Sequence, residues 1–125
     1  MIVDANVLLY AEDASSPHHE PCRRWLETAL NGDVRIGLPW PSLLGFVRIR
    51  THPRAYAHPL SVSQAWDRVE DWLAADTSWI PAPTERHAAV LGDLLRRHHL
   101  SAGLVPDAHL AALAIEHGEI GRAHV

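Results

Sequence analysis

The chain has 125 residues, 47% of them apolar and 21% charged, with a formal charge of −4, which suits a single soluble domain. All 11 basic Lys and Arg side chains are Arg, so a Walker-type phosphate lysine and a Schiff base are both excluded. One cysteine, Cys22, gives no internal disulfide and no cysteine metal cluster, and no stretch has the roughly 20 apolar residues of a membrane helix, so a cytoplasmic protein with no membrane partner is expected.

In chain order, residues 1–4 read as a short apolar strand closed by Asp4, and residues 6–11 as a helix. Ser15, Ser16 and Pro17 offer capping residues for a second helix, with Cys22, Trp25, Leu26, Ala29 and Leu30 on one face up to Asn31-Gly32. Residues 34–38 read as a second strand, and Leu43, Leu44, Phe46, Val47 and Ile49 as a buried helix after Pro41. Residues 51–59, with two prolines, read as a loop. Ser61 and Gln64 form a capping box for a helix with Val62, Trp66, Val69, Trp72 and Leu73 along one stripe. Residues 77–80 give a third strand, and Thr84 caps a helix with Ala88, Leu91, Leu94 and Leu95. A loop at 101–105 precedes a final helix opened by Pro106 and carrying Leu110, Leu113 and Ala114. Strands alternating with helices of this length predict a parallel sheet covered on both faces.

Ligands bind such sheets at the carboxyl ends of the strands, where Asp4 lies. Its carboxylate suits a hard divalent cation, with Asn6 orienting it or a coordinated water. Asp4 also reads as the N-cap of the following helix. Asp107 follows Pro106 in the first turn of the last helix, where the helix dipole alone favours an acid. Two carboxylates converging on one sheet edge need a cation to offset their repulsion, which points to a metal-dependent hydrolase.

The segments Ile2-Val-Asp-Ala-Asn-Val-Leu-Leu-Tyr10, Gly37-Leu-Pro-Trp40 to Phe46-Val-Arg48, Thr51-His-Pro-Arg54 and Val105-Pro-Asp-Ala-His-Leu-Ala-Ala-Leu-Ala-Ile-Glu-His-Gly118 together resemble a VapC-type toxin of the PIN-domain ribonuclease family. The resemblance spans residues 1–118. It implies a three-layer α/β/α fold around a central parallel sheet, Mg²⁺ or Mn²⁺ on acidic residues, and cleavage of single-stranded RNA. It also implies a cognate VapB-like antitoxin and a homodimer. Asp4 and Asp107 match the family's first acid and its helix-start acid, the expected catalytic and metal-binding pair, with Asn6 in support. Gly45 stands where many relatives carry a glutamate, and a further acid expected after the next strand has no counterpart.

After Gly118 the pattern breaks: residues 119–125 match what a common sequencing adapter encodes in one frame. The expectation is therefore an incomplete PIN domain over 1–118, lacking its last strands, followed by a non-native read-through tail. Such a chain would leave the first strand with an open apolar edge, poorly stable or prone to aggregate.

Other candidates are weaker. His18-His19 and His98-His99 point about 100° apart on a helix, unlike the i,i+4 pair of a zinc site. His109 and His117 flank the last helix without a partner motif. Asp67, Arg68, Glu70 and Asp71 read as a solvated face. Arg48, Arg50, Arg54 and Thr51 are placed to contact RNA or an antitoxin, or to serve as ordinary surface. Trp25, Trp66, Trp72 and Trp79 fit the core stripes, and Trp40, between two prolines, a helix entrance. A receiver-type phosphoacceptor domain is excluded by the missing lysine. A PIN-like interaction module without catalysis stays open because of Gly45.

Overall fold

The structure, a computed structural model, describes residues 1–100, 102–119 and 122–123. Its elements are β1 (Ile2–Val3), α1 (Ala5–Glu12), α2 (His19–Leu30), β2 (Ile36–Gly37), α3 (Trp40–Arg50), α4 (Val62–Leu73), β3 (Ser78–Trp79), α5 (His87–Arg97), a 3₁₀ turn (Ala102–Leu104), α6 (Val105–Glu116) and β4 (Arg122–Ala123). The four strands form one parallel sheet in the order β3-β2-β1-β4. The ladders are short, yet the pairing extends beyond them: Ile36 N–H donates to Thr77 O, Gly37 N–H to Met1 O and Leu38 N–H to Trp79 O, each at 2.8 Å.

Alternation along β1 divides the core into two layers. Val3 faces α1–α4, joining Leu8, Leu26, Leu38, Leu43, Phe46, Ala65 and Val69, while Ile2 faces α6 with Leu110, Leu113 and Ala114. Helices therefore cover both faces of the sheet, the three-layer arrangement expected of an all-parallel sheet. Gly37 lets β2 pass close to β1: a Cβ there would stand 2.8 Å from Ile2 Cδ1 and 3.1 Å from Pro81 Cγ, so the buried Ile2 side chain would have to shift. Gly118, at φ +65°, ends α6 in the left-handed conformation that closes many helices. No helix among the described residues is long and apolar enough to cross a membrane.

The expected open edge of β1 is corrected. Arg122–Ala123 pairs with it in parallel, Ile2 opposite Arg122 and Val3 opposite Ala123, so backbone groups expected to face solvent have ladder partners. Of the expected tail, Glu119 and the backbone of residues 122–123 are described; the remainder lies outside the described residues.

Caps differ from the sequence reading in two places. The residue before α2 is His18, and Ser16 Oγ instead accepts from its backbone N–H. Thr84 lies three residues ahead of α5, accepting from Arg86 N–H while its hydroxyl donates to Glu116 Oε1 at 2.7 Å. The capping box of α4 forms as expected, with both Ser61 and Gln64 bonds present.

Arg50 is corrected from surface contact to buried partner. Its Nε donates to Glu12, its Nη1 to His58 O at 3.1 Å, and its guanidinium lies 4.2 Å from the centroid of Tyr56. These contacts fasten the loop after α3 onto α1. Leu44 and Trp66, both expected in the core, are instead 55% and 38% exposed, the indole of Trp66 stacking on Trp40.

Candidate functional site

The strand and helix ends that meet above β1 form the site. Asp4 leaves β1 and caps α1: its Oδ1 accepts from Val7 N–H at 3.2 Å, which confirms the cap reading and fixes one carboxylate oxygen. The residue is buried. Asp107 lies in the first turn of α6, half-buried, with Pro106 beside it at the helix start. Both acids line one pocket of about 140 Å³ together with Ala5, Asn6, Pro41, Ser42, Pro106 and Leu110. The two acids and Asn6, far apart in sequence, thus share one concavity at the carboxyl end of β1, as the sheet rule requires.

Ser42 is a site residue that periodicity did not reveal. Its buried hydroxyl donates 2.6 Å to Val3 O and so ties the first turn of α3 to the peptide that precedes Asp4. A lone serine between Pro41 and Leu43 carries no apolar pattern; only the buried carbonyl it satisfies explains it.

Gly45 lies one turn beyond Ser42. A Cβ built there would stand 3.2 Å from Ala5 Cβ, closer than most such contacts, so α3 and α1 approach tightly at this position. Among the described residues no three His, Cys, Asp or Glu side chains form a metal-holding group. The pocket instead offers only oxygen-bearing polar side chains: two carboxylates, the Asn6 amide and the Ser42 hydroxyl. That donor set fits a hard cation such as Mg²⁺, which takes one or two carboxylates and leaves other positions to water and phosphate oxygens.

Arg48 and Thr51 do not line the pocket. Arg48 is exposed on α3, while Thr51 ends that helix with its hydroxyl donating to Val47 O at 2.7 Å.

A second polar cluster lies behind α6. Glu116, buried, accepts from Thr84 N–H at 2.9 Å and from the Thr84 hydroxyl, and its Oε2 is 2.5 Å from His87 Nδ1. His87 Nε2 lies 3.0 Å from His109 Nδ1. An ionised carboxylate only accepts, so His87 Nδ1 carries a proton, and a single proton lies between the two rings. Burial pushes Glu116 up, but the Thr84 and His87 hydrogen bonds outweigh it and hold the carboxyl below its ordinary range. Burial first, and the neighbouring His87 second, push His109 down. His117, the other expected orphan, bonds Ala82 O through Nε2 at 2.7 Å and packs edge-on to Trp79. These partners are 22 to 35 residues away in sequence, which is why no local motif announces them.

Residues 1–120 match the PIN domain family. The chain is 50% identical over 116 residues to Ribonuclease VapC37 of Mycobacterium tuberculosis, covering 93% of this chain and 81% of that protein. It is 36% identical to Ribonuclease VapC33 of the same species, over 94% of this chain and 82% of that protein. It is also 38% identical to VapC ribonuclease Mb2897 of Mycobacterium bovis, over 93% and 79%. The pocket, strands β1–β3 and both acids fall within the matched span, and the chain belongs to the PIN-domain family as a VapC-type member.

Proposed function

We propose that the protein is a Mg²⁺-dependent endoribonuclease, the toxin of a VapBC-like toxin–antitoxin pair, cleaving RNA phosphodiester bonds at the Asp4–Asp107 pocket. The observation that carries the reading is the shared pocket itself: two carboxylates from opposite ends of the chain, with an amide and a hydroxyl and no softer ligand. The VapC names of the relatives support a ribonuclease and a VapB-like antitoxin as partner, and the same reading includes a homodimer acting in the cytoplasm.

In this reading Asp4 and Asp107 hold the cation, which, when bound, activates water and neutralises charge on the scissile phosphate. The chain's own work is positional. Val7 N–H fixes one Asp4 oxygen, Ser42 fixes the end of β1, and the first turn of α6 presents Asp107 to the same pocket. Asn6, exposed at the rim, orients a carboxylate or a coordinated water. In an acidic chain, a cation held by Asp4 and Asp107 would also offset their repulsion of an RNA phosphate.

The alternative, a PIN-like interaction module without catalysis, is favoured by Gly45, which leaves two pocket carboxylates where relatives of the family carry more. Incubation with unstructured RNA in Mg²⁺ and in EDTA separates the two: cleavage in Mg²⁺ alone supports the enzyme, and intact RNA in both supports the module.

A further inference from the structure

Trp40 opens α3 one residue before Pro41 and two before Ser42, both of which line the carboxylate pocket. Its indole is 42% exposed and nearly parallel to that of Trp66 on α4, with centroids 6.3 Å apart and planes 4° from parallel. Leu44, one turn along α3, and Val62, one turn before Trp66 on α4 and 65% exposed, extend the apolar face. Arg48, exposed, continues the Trp40–Leu44 stripe by a further turn. The surface therefore runs from a carboxylate pocket, across two stacked indoles, to a guanidinium.

A centroid separation of 6.3 Å between parallel rings is an offset stack, which leaves flat aromatic surface uncovered. Two occupants suit such a surface, a second protein or an unpaired base. The exposed apolar side chains here are four on two adjacent helices, and the row that starts at Trp40 ends on the exposed Arg48 guanidinium, a charge that complements a phosphate and not a further apolar face. A nucleobase needs only one or two ring faces. Aromatic platforms flanked by cationic groups are what single-stranded nucleic acids require, with bases on the rings and phosphates on the charges.

We propose that Trp40 and Trp66 form a stacking platform for an unpaired base of RNA beside the scissile phosphate, with Arg48 receiving a neighbouring phosphate. The proposal rests on the ribonuclease reading and adds the residues that select unpaired over paired RNA. Every base has a π-face, so the platform discriminates by strandedness and not by sequence.

The test is binding of a fluorescein-labelled unstructured 20-nucleotide RNA and of the same sequence as a blunt duplex, read by anisotropy. It runs alongside Mg²⁺-dependent cleavage and sedimentation of the same samples. Trp40→Leu and Trp66→Leu should each weaken single-strand binding about tenfold and reduce the preference over duplex, while Trp40→Phe and Trp66→Phe keep most of it. All four variants should melt and sediment as the wild type does. Leucine variants that bind single strands as tightly as a wild type that cleaves RNA would overturn the platform and leave the ribonuclease reading intact. Loss of a dimer in the leucine variants would assign the face to a second copy of the chain and overturn the proposal. A wild type that neither binds nor cleaves RNA would remove the ribonuclease reading and the platform together.

Discussion

The Ser42 hydroxyl donates a 2.6 Å hydrogen bond to the carbonyl of Val3, joining the start of α3 to the peptide that places Asp4. Both residues are buried, so the bond has no easy replacement by water. Ser42→Ala leaves the carbonyl without this donor and should cost about 1–3 kcal/mol of stability in urea unfolding. Because the freed peptide carries Asp4, Mg²⁺ affinity should fall with it. An alanine variant with wild-type stability and affinity would show that the bond holds nothing in place.

Arg50 and Glu12 form a pair of a different kind, largely shielded and joined by the His58 carbonyl and the Tyr56 ring. Removing one partner leaves the other charge shielded from water and unpaired. Glu12→Ala should therefore destabilise by about 3 kcal/mol, more than an exposed pair such as Arg68–Asp71, for which about 0–1 kcal/mol is expected. A double-mutant cycle with Arg50→Met measures the coupling, and a coupling near zero would contradict the assignment.

Acid sensitivity should trace to Glu116. Its folded pKa lies below the ordinary carboxylate value, because the Thr84 and His87 hydrogen bonds outweigh burial, so the folded state binds its proton less readily than the unfolded state. That stability is fully present above the unfolded value, about 4.3, and is lost as pH falls through the lower folded value. The melting temperature should fall on acidification below about pH 4.3, and Glu116→Gln should flatten that part of the profile from a lower starting point. Parallel profiles for wild type and variant would refute the role.

That Asp4 and Asp107 share a pocket was legible because each stands at a point of chain logic: Asp4 ends a strand and Asp107 opens a helix, and the sheet rule brings such points together. The Leu44 and Trp66 positions misled for a definite reason. Periodicity locates the apolar side of a helix, but whether another element covers that side depends on tertiary packing, and here α3 and α4 leave part of theirs to solvent. Ser42 and the Thr84–His87–Glu116–His109 cluster were invisible for the opposite reason: each is a single polar residue whose partner is distant in sequence and close only in the fold. The pairing of residues 122–123 with β1 likewise depends on a parallel contact between the two ends of the chain.

Asp4 and Asp107 should act as one cation-dependent site. Asparagine caps a helix as well as aspartate does, so Asp4→Asn should keep the Val7 N–H bond and the fold while removing the charge. The decisive measurement is Mg²⁺-dependent cleavage of unstructured RNA by wild type, Asp4→Asn and Asp107→Asn, with each variant's melting curve recorded beside it. The wild type should cleave, EDTA should abolish cleavage, and each variant should lose about a hundredfold or more at near wild-type stability, since each removes a carboxylate that would hold the cation. Equal cleavage by all three proteins would contradict that assignment.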